Sequence, residues 1–530
     1  MFSLSSYPYS SSRQVILGQQ GAVATSQSLA ALAGMEMFWR GGNAIDAAVA
    51  MAIALTVVEP TSNGIGGDGF ALVWDGQLHG LNASGRSPQA WRAEQFAPGS
   101  PLPQVGWLTV TVPGAVSGWV ALWRRWGKLP FQQLFAPALH YASHGFPISP
   151  ITAHLWQRAE PIYLHLEEEQ FRPFQQIFFP HQRAPQAGEL WVSPAHAQTL
   201  ESIAASEGES FYRGDLAEQI ATFATQTGGA LTLADLSAHT AEWVKPIATD
   251  YRGITVWELP PNSQGISTLM ALKLLEQIDL GAMPRESIDS YHYQIEAMKL
   301  ALDDAYRHIA EPEQMQIDPE SLLDPAYLRS RQQLIGSKAR PYQGFHLPQG
   351  GTVYLAAADQ ELMVSLIQSN YQSFGSGVLV PGTGIALHNR GRGFNLTAGH
   401  PNQIGGGKRP FHTLMPGFLT QAGQPLAAFG LMGGPMQPQG HLQMVINLVD
   451  YHLNPQALLD APRWQVMEDG QVLLEEAVSG AIVSSLQERG HRAKRTTDSY
   501  RFGKGQMILK QQGVFMVATE PRADGLALAY

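Results

Sequence analysis

Strand-like segments lie towards both ends of this 530-residue sequence, and a long helix-like stretch separates them. A hairpin pattern covers Phe70 to Trp74 and Leu78 to Asn82, joined at Asp75-Gly76. Residues 113–339 carry mostly helical patterns, strand patterns return at Thr352, and residues 505–530 predict two or three more strands. The chain is too long for one ordinary core. The order therefore predicts two domains or one large layered α/β unit, with a sheet-on-sheet core flanked by helices.

Two apolar helices are predicted near the start of the chain. They cover Ser28 to Trp39 and Asn43 to Val58, with Gly41-Gly42 between them. Asn43 and Asp46 have the spacing of a capping pair, and Pro60 ends the second helix. The apolar stretch of that helix is too short to span a membrane and contains Asp46, so no membrane segment is predicted.

Composition excludes several function classes. The net charge is -10 without a basic cluster, which argues against a nucleic-acid partner. The absence of cysteine excludes disulfides, thiolate zinc sites and thiol catalysis, and the 17 histidines have no metal-ligand spacing. Residues 1–14 are rich in Ser and Tyr and lack the basic start and apolar run of a secretory signal, so we expect a cytoplasmic protein.

The stretch Gly64 to Gly69 satisfies G-x-G-x-x-G, the pattern of dinucleotide-binding loops. Such loops follow a strand and open a helix. Here a helix ending at Glu59-Pro60 comes first and a β-hairpin follows. The reversed context argues against a nucleotide-binding oxidoreductase and favours a backbone turn near an active site.

The segment Gly350-Gly351-Thr352 opens a strand pattern that continues to Asp359. Taken alone, Thr352 is a β-branched residue that starts a strand. Together with phrases elsewhere, however, the sequence resembles the gamma-glutamyltranspeptidase family over nearly its whole length. The matching phrases, in chain order, are Gly41 to Ala48, Val58-Glu59-Pro60, Gly64 to Phe70, Val112-Pro113-Gly114, Pro260 to Gly265, Glu296 to Ala301, Pro381 to Gly384, Lys408-Arg409-Pro410, Met432-Gly433-Gly434 and Arg522 to Gly525.

The resemblance implies an N-terminal-nucleophile hydrolase fold, an α/β protein built as a four-layer αββα sandwich. It implies a precursor cleaved between Gly351 and Thr352, giving a large segment of residues 1–351 and a small segment of residues 352–530. Residues 340–351 form a Pro/Gly/Gln-rich linker in which the scissile bond is accessible. No metal or organic cofactor is expected. The two segments would stay paired, and whether such pairs form dimers is left open.

The resemblance also implies catalytic roles. The Thr352 hydroxyl would be the nucleophile, and the amine freed by cleavage would be its base. Gly433 and Gly434 would donate their amides to a developing oxyanion, and Ser369 would hydrogen-bond the nucleophile. Gly351 suits the cleavage site because it leaves room around its carbonyl and tolerates strained backbone.

Substrate recognition departs from the family pattern. Arg86 lies two places nearer to the following proline than the arginine that grips the substrate carboxylate in relatives, and it is equally compatible with an exposed loop charge. Two serines that follow the Lys-Arg-Pro phrase in relatives are replaced by His412 and Thr413. Of these, Thr413 keeps a donor, and a lone histidine is more often structural.

The family stretch that reads a substrate ammonium through an acid becomes His388 to Phe394, with Asn389, Arg390 and Arg392 but no acid. This change predicts a pocket for an acyl group that carries carboxylates and no amine. The short segment of residues 395–407 predicts that the lid loop of some relatives is absent or reduced.

Three functions are compatible with the sequence. By family resemblance, the first is a self-processing enzyme that cleaves gamma-glutamyl amides such as glutathione. The second is an amide acylase of the same fold that acts on glutaryl-like groups. The third is an uncleaved, non-catalytic protein that binds small acyl compounds. In each case the partner is a small molecule, not a nucleic acid or a membrane.

Overall fold

The computed structural model describes residues 13–96, 102–344 and 350–530. Most of the segment examined for a secretory signal and residues 345–349 of the predicted linker lie outside these ranges. Within them, the elements are named from the N-terminus.

The strands are β1 (Ile16–Gly18), β2 (Gly21–Thr25), β3 (Asp68–Trp74), β4 (Leu78–Ala83), β5 (Phe146–Pro147), β6 (Leu190–Trp191), β7 (Glu242–Val244), β8 (Ile247–Tyr251), β9 (Ile254–Glu258), β10 (Gly351–Asp359), β11 (Met363–Tyr371), β12 (Gly417–Gln421), β13 (Gln424–Met432), β14 (Trp464–Val466), β15 (Gln471–Glu475), β16 (Arg492–Thr496), β17 (Lys504–Gln511), β18 (Val514–Thr519) and β19 (Leu526–Ala529).

The helices are α1 (Ser28–Trp39), α2 (Ala44–Val58), α3 (Ala115–Trp126), α4 (Ala136–His144), α5 (Pro150–Tyr163), α6 (Arg172–Phe178), α7 (Pro194–Ala205), α8 (Glu209–Arg213), α9 (Asp215–Gln226), α10 (Leu233–Ser237), α11 (Ile266–Leu275), α12 (Ile288–His308), α13 (Pro325–Gln332), α14 (Met436–Val449), α15 (Pro455–Asp460) and α16 (Gly480–Glu488).

Two seven-stranded sheets form the centre of the molecule. One has the order β19-β2-β10-β11-β3-β4-β7, and the other has the order β1-β18-β17-β13-β12-β9-β8. The pairings within both large sheets are antiparallel. We call them the β10 sheet and the β13 sheet. The smaller sheets are β14-β15-β16 and β5-β6.

The burial pattern separates the layers. Along β10, Val353 and Leu355 pack with α1 and α2, whereas Tyr354 and Ala356 pack with Phe418 and other residues of the β13 sheet. This alternation follows from the two-residue period of a strand buried on both faces. Helices α11, α12 and α14 cover the far side of the β13 sheet. The order of layers is helix, sheet, sheet, helix, which confirms the predicted αββα sandwich.

Local signals explain the first helices. Helix α1 has the predicted bounds, and α2 begins after Asn43. The Asn43 side chain accepts from the Asp46 amide, and the Asp46 carboxylate accepts from the Asn43 amide, so the capping box is formed. Every residue of α2 is buried, as an all-apolar core helix requires.

The region of residues 113–339 is less uniformly helical than its pattern predicts. The short strands β5 and β6 form a small sheet there, β7 adds an edge to the β10 sheet, and the β8–β9 hairpin adds an edge to the β13 sheet. Of these strands, β7 pairs with β4 and β9 pairs with β12, in distant parts of the chain, whereas β5 pairs with β6 and β8 pairs with β9 inside the region. Within the described ranges, no helix has the length and apolar character needed to cross a bilayer.

Candidate active site

Three neighbouring strands of the β10 sheet bring Thr352, Ser369 and Asp68 together. Ser369 pairs directly with Asp68 between β11 and β3, and the β10–β11 register shifts between Gly351 and Val353, at the position of Thr352. Ile367, two residues before Ser369, and Phe70, two residues after Asp68, face the space between the sheets. Ser369 and Asp68 therefore project towards the same space by strand alternation.

A chain of hydroxyl hydrogen bonds joins Thr352 to the bond before it. Thr352 Oγ1 lies 3.1 Å from Ser369 Oγ, and the Ser369 hydroxyl donates to the Gly351 carbonyl oxygen at 2.7 Å. The Tyr371 amide donates to Ser369 Oγ at 2.7 Å. Because the Ser369 hydroxyl has a single proton, the Thr352 hydroxyl is the donor to Ser369. Thr352 is buried in the intact chain.

Gly351 occupies a position without room for a side chain. A Cβ atom built there would lie 2.8 Å from the Ser373 amide nitrogen and 3.1 Å from the Thr61 carbonyl oxygen. Both neighbours are backbone atoms, which cannot turn aside as a flexible side chain does. The requirement for glycine is therefore steric and accounts for this part of the predicted cleavage motif.

Gly433 and Gly434 connect β13 to α14 with φ angles of 138° and 59°. These angles lie in the region that favours glycine. A Cβ built on Gly350 would lie 3.5 Å from the Gly434 amide nitrogen, so the turn runs beside the segment that precedes the Gly351–Thr352 bond. Among the described residues, neither glycine amide has a hydrogen-bond acceptor. Both amides are thus free of a partner in the described residues, and their role as oxyanion donors stays a prediction.

Gln264, which the sequence interpretation did not single out, fixes this turn. Its side-chain amide donates to the Gly434 carbonyl at 3.0 Å and to the Thr413 carbonyl at 2.7 Å. Gln264 is buried. It therefore ties the predicted oxyanion turn to the segment that contains His412 and Thr413.

A buried charged cluster, here called the Asp68 network, lies beside Ser369, the strand partner of Asp68, and consists of Asp68, His388, Arg390 and His412. Arg390 donates to the two Asp68 carboxylate oxygens at 2.8 and 2.9 Å. His412 Nε2 lies 2.8 Å, and His388 Nδ1 3.3 Å, from Asp68 Oδ2. All four residues are fully buried.

The charges within the Asp68 network are balanced. Burial raises the pKa of the Asp68 carboxyl, but the Arg390 guanidinium and the His412 ring outweigh it and hold that pKa well below its usual value. Burial, aided by Arg390, lowers the pKa of His412 to about 3. His412 is therefore neutral, donating from Nε2 to Asp68 and accepting the Leu414 amide at Nδ1. This agrees with the structural interpretation of His412.

The other residues predicted to bind substrate support this network and its surroundings. Thr413 Oγ1 accepts from Arg390 at 3.2 Å, and the guanidinium lies 4.4 Å from the centre of the Tyr371 ring. The Asn389 side chain accepts the Gln372 amide and donates to the Gln104 carbonyl. In the intact chain, Asn389, Arg390 and Thr413 thus have protein partners, and their contact with a substrate stays a prediction.

Arg86 is also matched by acids. Its guanidinium lies 3.2 Å from Glu242 Oε1 and 2.9 Å from Glu311 Oε1. Arg409 shares both carboxylates, with a short bidentate contact to Glu242. The Arg86 side chain is 39% exposed. Its surroundings are those of a loop charge held in an ion-pair cluster.

Arg392 differs from these arginines. Its Nη1 donates to the Gln372 side-chain oxygen, and Nε has no hydrogen-bond partner. Burial lowers the pKa of the Arg392 guanidinium, and Tyr371 and Tyr163 oppose that shift. No carboxylate in the described residues forms an ion pair with it. The sequence interpretation noted this arginine as one of two that replace the expected acid.

Metal ligands are not gathered anywhere in the described ranges, where no group of three or more His, Asp or Glu side chains is arranged to hold an ion. The Gly64 to Gly69 stretch leads from α2 into β3, and Gly66 forms an isolated bridge with Leu387. That stretch is a packed turn beside the Asp68 network. Its helix-to-strand context is the one that argued against nucleotide binding.

Comparisons with known proteins agree with this architecture. The family model described as gamma-glutamyltranspeptidase matches residues 30–530. The chain is 33% identical to a glutathione hydrolase-like YwrD proenzyme of Bacillus subtilis (strain 168), covering 97% of this chain and 99% of the relative. It is 33% identical to an oxamate amidohydrolase proenzyme of Klebsiella pneumoniae subsp. pneumoniae, covering 96% and 98%. The crystal structure of a cephalosporin acylase from Bacillus halodurans has a TM-score of 0.96 at 48% identity, covering 100% and 99%.

Proposed function

The chain belongs to the gamma-glutamyltranspeptidase family, and from that premise we propose that it is a self-processing acyl hydrolase or acyltransferase with Thr352 as its nucleophile. The hydrogen-bonded series Thr352 Oγ1, Ser369 Oγ and Gly351 carbonyl oxygen carries the proposal. The series connects the Thr352 hydroxyl, which would attack, with the Ser369 hydroxyl, which would pass on its proton, and with the Gly351 carbonyl, which would be attacked.

Self-processing would begin with attack of Thr352 Oγ on the Gly351 carbonyl carbon. The hydroxyl proton would leave through Ser369, and the carbonyl oxygen would gain negative charge. Collapse of this intermediate would break the Gly351–Thr352 C–N bond, protonate the Thr352 nitrogen and leave Gly351 as an ester on Oγ. Water would open the ester, giving the large segment of residues 1–351 and the small segment of residues 352–530.

The mature enzyme would use the same atoms on an external amide. The free Thr352 amine would accept the hydroxyl proton as Oγ attacks the substrate carbonyl. The Gly433 and Gly434 amides would stabilise the oxyanion, an effect for which one donor is typically worth about 10²–10³ in rate. The leaving amine would depart with a proton, and water or an acceptor amine would then release the acyl group.

For the acyl group, the charges favour an acid without an α-amino group. The acids next to the candidate substrate residues already have cationic partners. Asp68 pairs with Arg390. Glu242 and Glu311 pair with two arginines, Arg86 and Arg409. A substrate ammonium would therefore compete with short ion pairs, and Arg392 would repel it. The similarity to a cephalosporin acylase supports an acylase activity. Gamma-glutamyl compounds stay the second candidate, favoured by the glutathione hydrolase-like relative.

The nucleophile assignment predicts that Thr352→Ala gives a single inactive chain. Wild-type protein should separate on a denaturing gel into two fragments, the smaller of them beginning Thr-Val-Tyr. Thr352→Ser is the matched control, because it keeps a hydroxyl and should still split, more slowly. Cleavage of Thr352→Ala at the same bond would refute the assignment. A wild-type chain that stays whole at 57.7 kDa after long incubation would favour the non-catalytic binding function.

The acyl preference is tested with two p-nitroanilides that share one leaving group. We expect glutaryl p-nitroanilide to have a higher kcat/KM than gamma-glutamyl p-nitroanilide, because the latter differs only by its ammonium. The reverse order would support the glutathione-type function and reject the acylase preference.

A further inference from the structure

A cavity of ≈ 240 Å³ opens directly beside the bond that is proposed to be cut. We call it the Lys504 pocket. Its lining residues are Thr61, Ser62, Leu155, Arg158, Ala159, Ile162, Gly350, Gly351, Ser373, Met432, Tyr500, Arg501 and Lys504. The residues on the acyl side of the Gly351–Thr352 bond thus form part of its wall, as does the residue that precedes the Gly433-Gly434 turn.

Strand pairing fixes Lys504 in this position. Lys504 is the first residue of β17, and its cross-strand partner is Met432, the last residue of β13. The Gly433-Gly434 turn follows Met432 at once. Because the pairing is antiparallel and central in the β13 sheet, the lysine cannot move away from the predicted oxyanion donors without breaking the ladder.

The Lys504 side chain is buried, and its ammonium has no hydrogen-bond acceptor among the described residues. Its side chain is 2% exposed, and its single ion-pair contact in the described residues is Glu59 Oε1 at 4.0 Å, which is too long for a hydrogen bond. A buried ammonium with three donors is costly unless those donors are satisfied. The geometry leaves room for an acceptor that enters from the pocket.

Glu59 forms an ion pair with this ammonium but no hydrogen bond. Its Oε2 accepts the Ser26 hydroxyl at 2.5 Å, whereas Oε1 has no hydrogen-bond partner. Burial raises the pKa of the Glu59 carboxyl, and Lys504 opposes that shift. The carboxylate and the ammonium lie side by side without a direct hydrogen bond, so the lysine keeps its capacity to bind a second anion.

Two more cations line the pocket, and they share one acid. Arg158 on α5 and Arg501 both contact Asp498, at 2.9 and 3.1 Å. Their side chains are 44% and 35% exposed, in contrast to the buried lysine. The pocket therefore has an outer pair of solvated cations and an inner ammonium, an arrangement that attracts an anion.

The position of the scissile bond indicates which part of a substrate enters. In self-processing, Gly350 and Gly351 are the acyl side of the bond, and Thr352 carries the leaving nitrogen. A substrate acyl group must present its carbonyl carbon where that of Gly351 lies, so the rest of the acyl group extends along the wall formed by Gly350 and Gly351. This wall belongs to the Lys504 pocket.

On the basis of the proposed acyl-transfer function, we propose that Lys504 determines specificity by binding a carboxylate on the acyl group of the substrate. The substrate class is then an amide of a dicarboxylic acid, with one carboxyl group in the amide bond and the other on the Lys504 ammonium. Lys504 acts here as a binding residue, and Thr352 keeps the chemistry.

The kinetic test compares glutaryl p-nitroanilide with pentanoyl p-nitroanilide, which has the same chain length and no free carboxylate. Lys504→Met should lower the glutaryl-to-pentanoyl ratio of kcat/KM at least about tenfold, the size expected for a lost charge-assisted hydrogen bond. Lys504→Arg should retain most of the ratio. Lys510→Met is the matched control on the same strand, where the ammonium donates to the Gln360 carbonyl oxygen at 3.2 Å and lies over the Phe515 ring, and it should leave the ratio within about twofold.

If Lys504→Met leaves the glutaryl-to-pentanoyl ratio of kcat/KM unchanged, the proposal is overturned. It is also overturned if this variant has wild-type thermal stability and loses kcat/KM equally on both substrates. Calorimetry with glutarate alone supplies a readout that needs no turnover. Wild-type protein should bind glutarate at least about tenfold more tightly than Lys504→Met does, and Lys510→Met should bind it as wild type does. A wild-type protein that hydrolyses neither anilide would reject the acylase function, yet glutarate binding would still support or refute the role of Lys504.

Discussion

The Asp68 network and the Lys504 pocket both lie near the proposed nucleophile, and both contain buried cations. In the network, Arg390 has a bidentate carboxylate partner, a hydroxyl and an aromatic face. In the pocket, Lys504 has one carboxylate oxygen at 4.0 Å. The two cations are equally hidden from solvent but differ in how completely the protein satisfies them.

This difference separates a structural charge from a binding charge. A buried cation whose donors are all satisfied gains little from a ligand, and its removal harms the fold. A buried cation with free donors gains a full hydrogen bond when an anion arrives. Arg86 and Arg390 attract attention in the sequence because they lie near family motifs, yet both have acid partners, and the buried Arg390 belongs to the first group. Lys504 lies outside the family phrases and belongs to the second group.

The largest effect is expected when the Asp68 network loses its acid. Asp68→Asn keeps the shape of the side chain but leaves the Arg390 guanidinium buried without a counter-charge. We expect the free energy of unfolding to fall by about 3–5 kcal/mol, measured by urea unfolding in a Thr352→Ala background so that all chains are intact.

The double variant Asp68→Leu/Arg390→Met provides the matched control. It removes both charges and should recover much of the lost stability, because no unpaired ion is left. If Asp68→Asn unfolds at the same urea concentration as the intact reference chain, the Arg390 charge does not depend on Asp68. The contrast between a charge that the protein itself pairs, in the network, and one that it does not, in the pocket, would then be wrong for Arg390.

A smaller effect is expected at Arg86. Arg86→Met leaves Glu242 and Glu311 with Arg409, and the arginine is partly solvated, so stability should fall by about 1 kcal/mol. Because Arg86 is matched by acids, the glutaryl-to-pentanoyl ratio of kcat/KM should change by less than about twofold. A tenfold fall in that ratio would make Arg86 the carboxylate ligand and would reverse the comparison with Lys504.

Much of the fold was predictable because its signals are local. The bounds of α1, the capping box of α2 and the β3–β4 hairpin follow from apolar periodicity, an Asn-to-Asp spacing and an Asp-Gly turn. The αββα sandwich followed from family resemblance and from the order of strands and helices. The β7 and β9 strands were missed because they pair with β4 and β12, which lie in distant parts of the chain, and β8 depends on β9 for its pairing.

The sequence allowed single residues of the candidate site to be named, but not the contacts between them. The sequence named Thr352, Ser369 and Gly433-Gly434, and the structure gathers them around one peptide bond. It did not assign a role to Asp68, although Asp68 lies inside the Gly64 to Phe70 phrase. The alignment of Asp68 with Ser369 and of Lys504 with Met432 arises from long-range strand register. The sequence of one strand does not reveal which residue of a distant strand will lie opposite each of its own residues.

The smallest effect concerns the pH dependence of stability in the Asp68 network. His412 has a pKa lowered from 6.5 to about 3 in the folded chain, so the folded state holds it neutral while the unfolded state takes up a proton below pH 6.5. The contribution of neutral His412 to the free energy of unfolding is present above that pH and is lost as the pH falls. The loss is about 0.7 kcal/mol between pH 7 and 6. His412→Gln keeps a donor towards Asp68 but has no imidazole to protonate. Between pH 7 and 6, the free energy of unfolding should therefore fall by about 0.7 kcal/mol less in His412→Gln than in wild type. Urea unfolding at the two pH values measures this difference. If wild type and His412→Gln fall in parallel, the ring is protonated or solvated in the folded state, and the network is less completely satisfied than its geometry indicates.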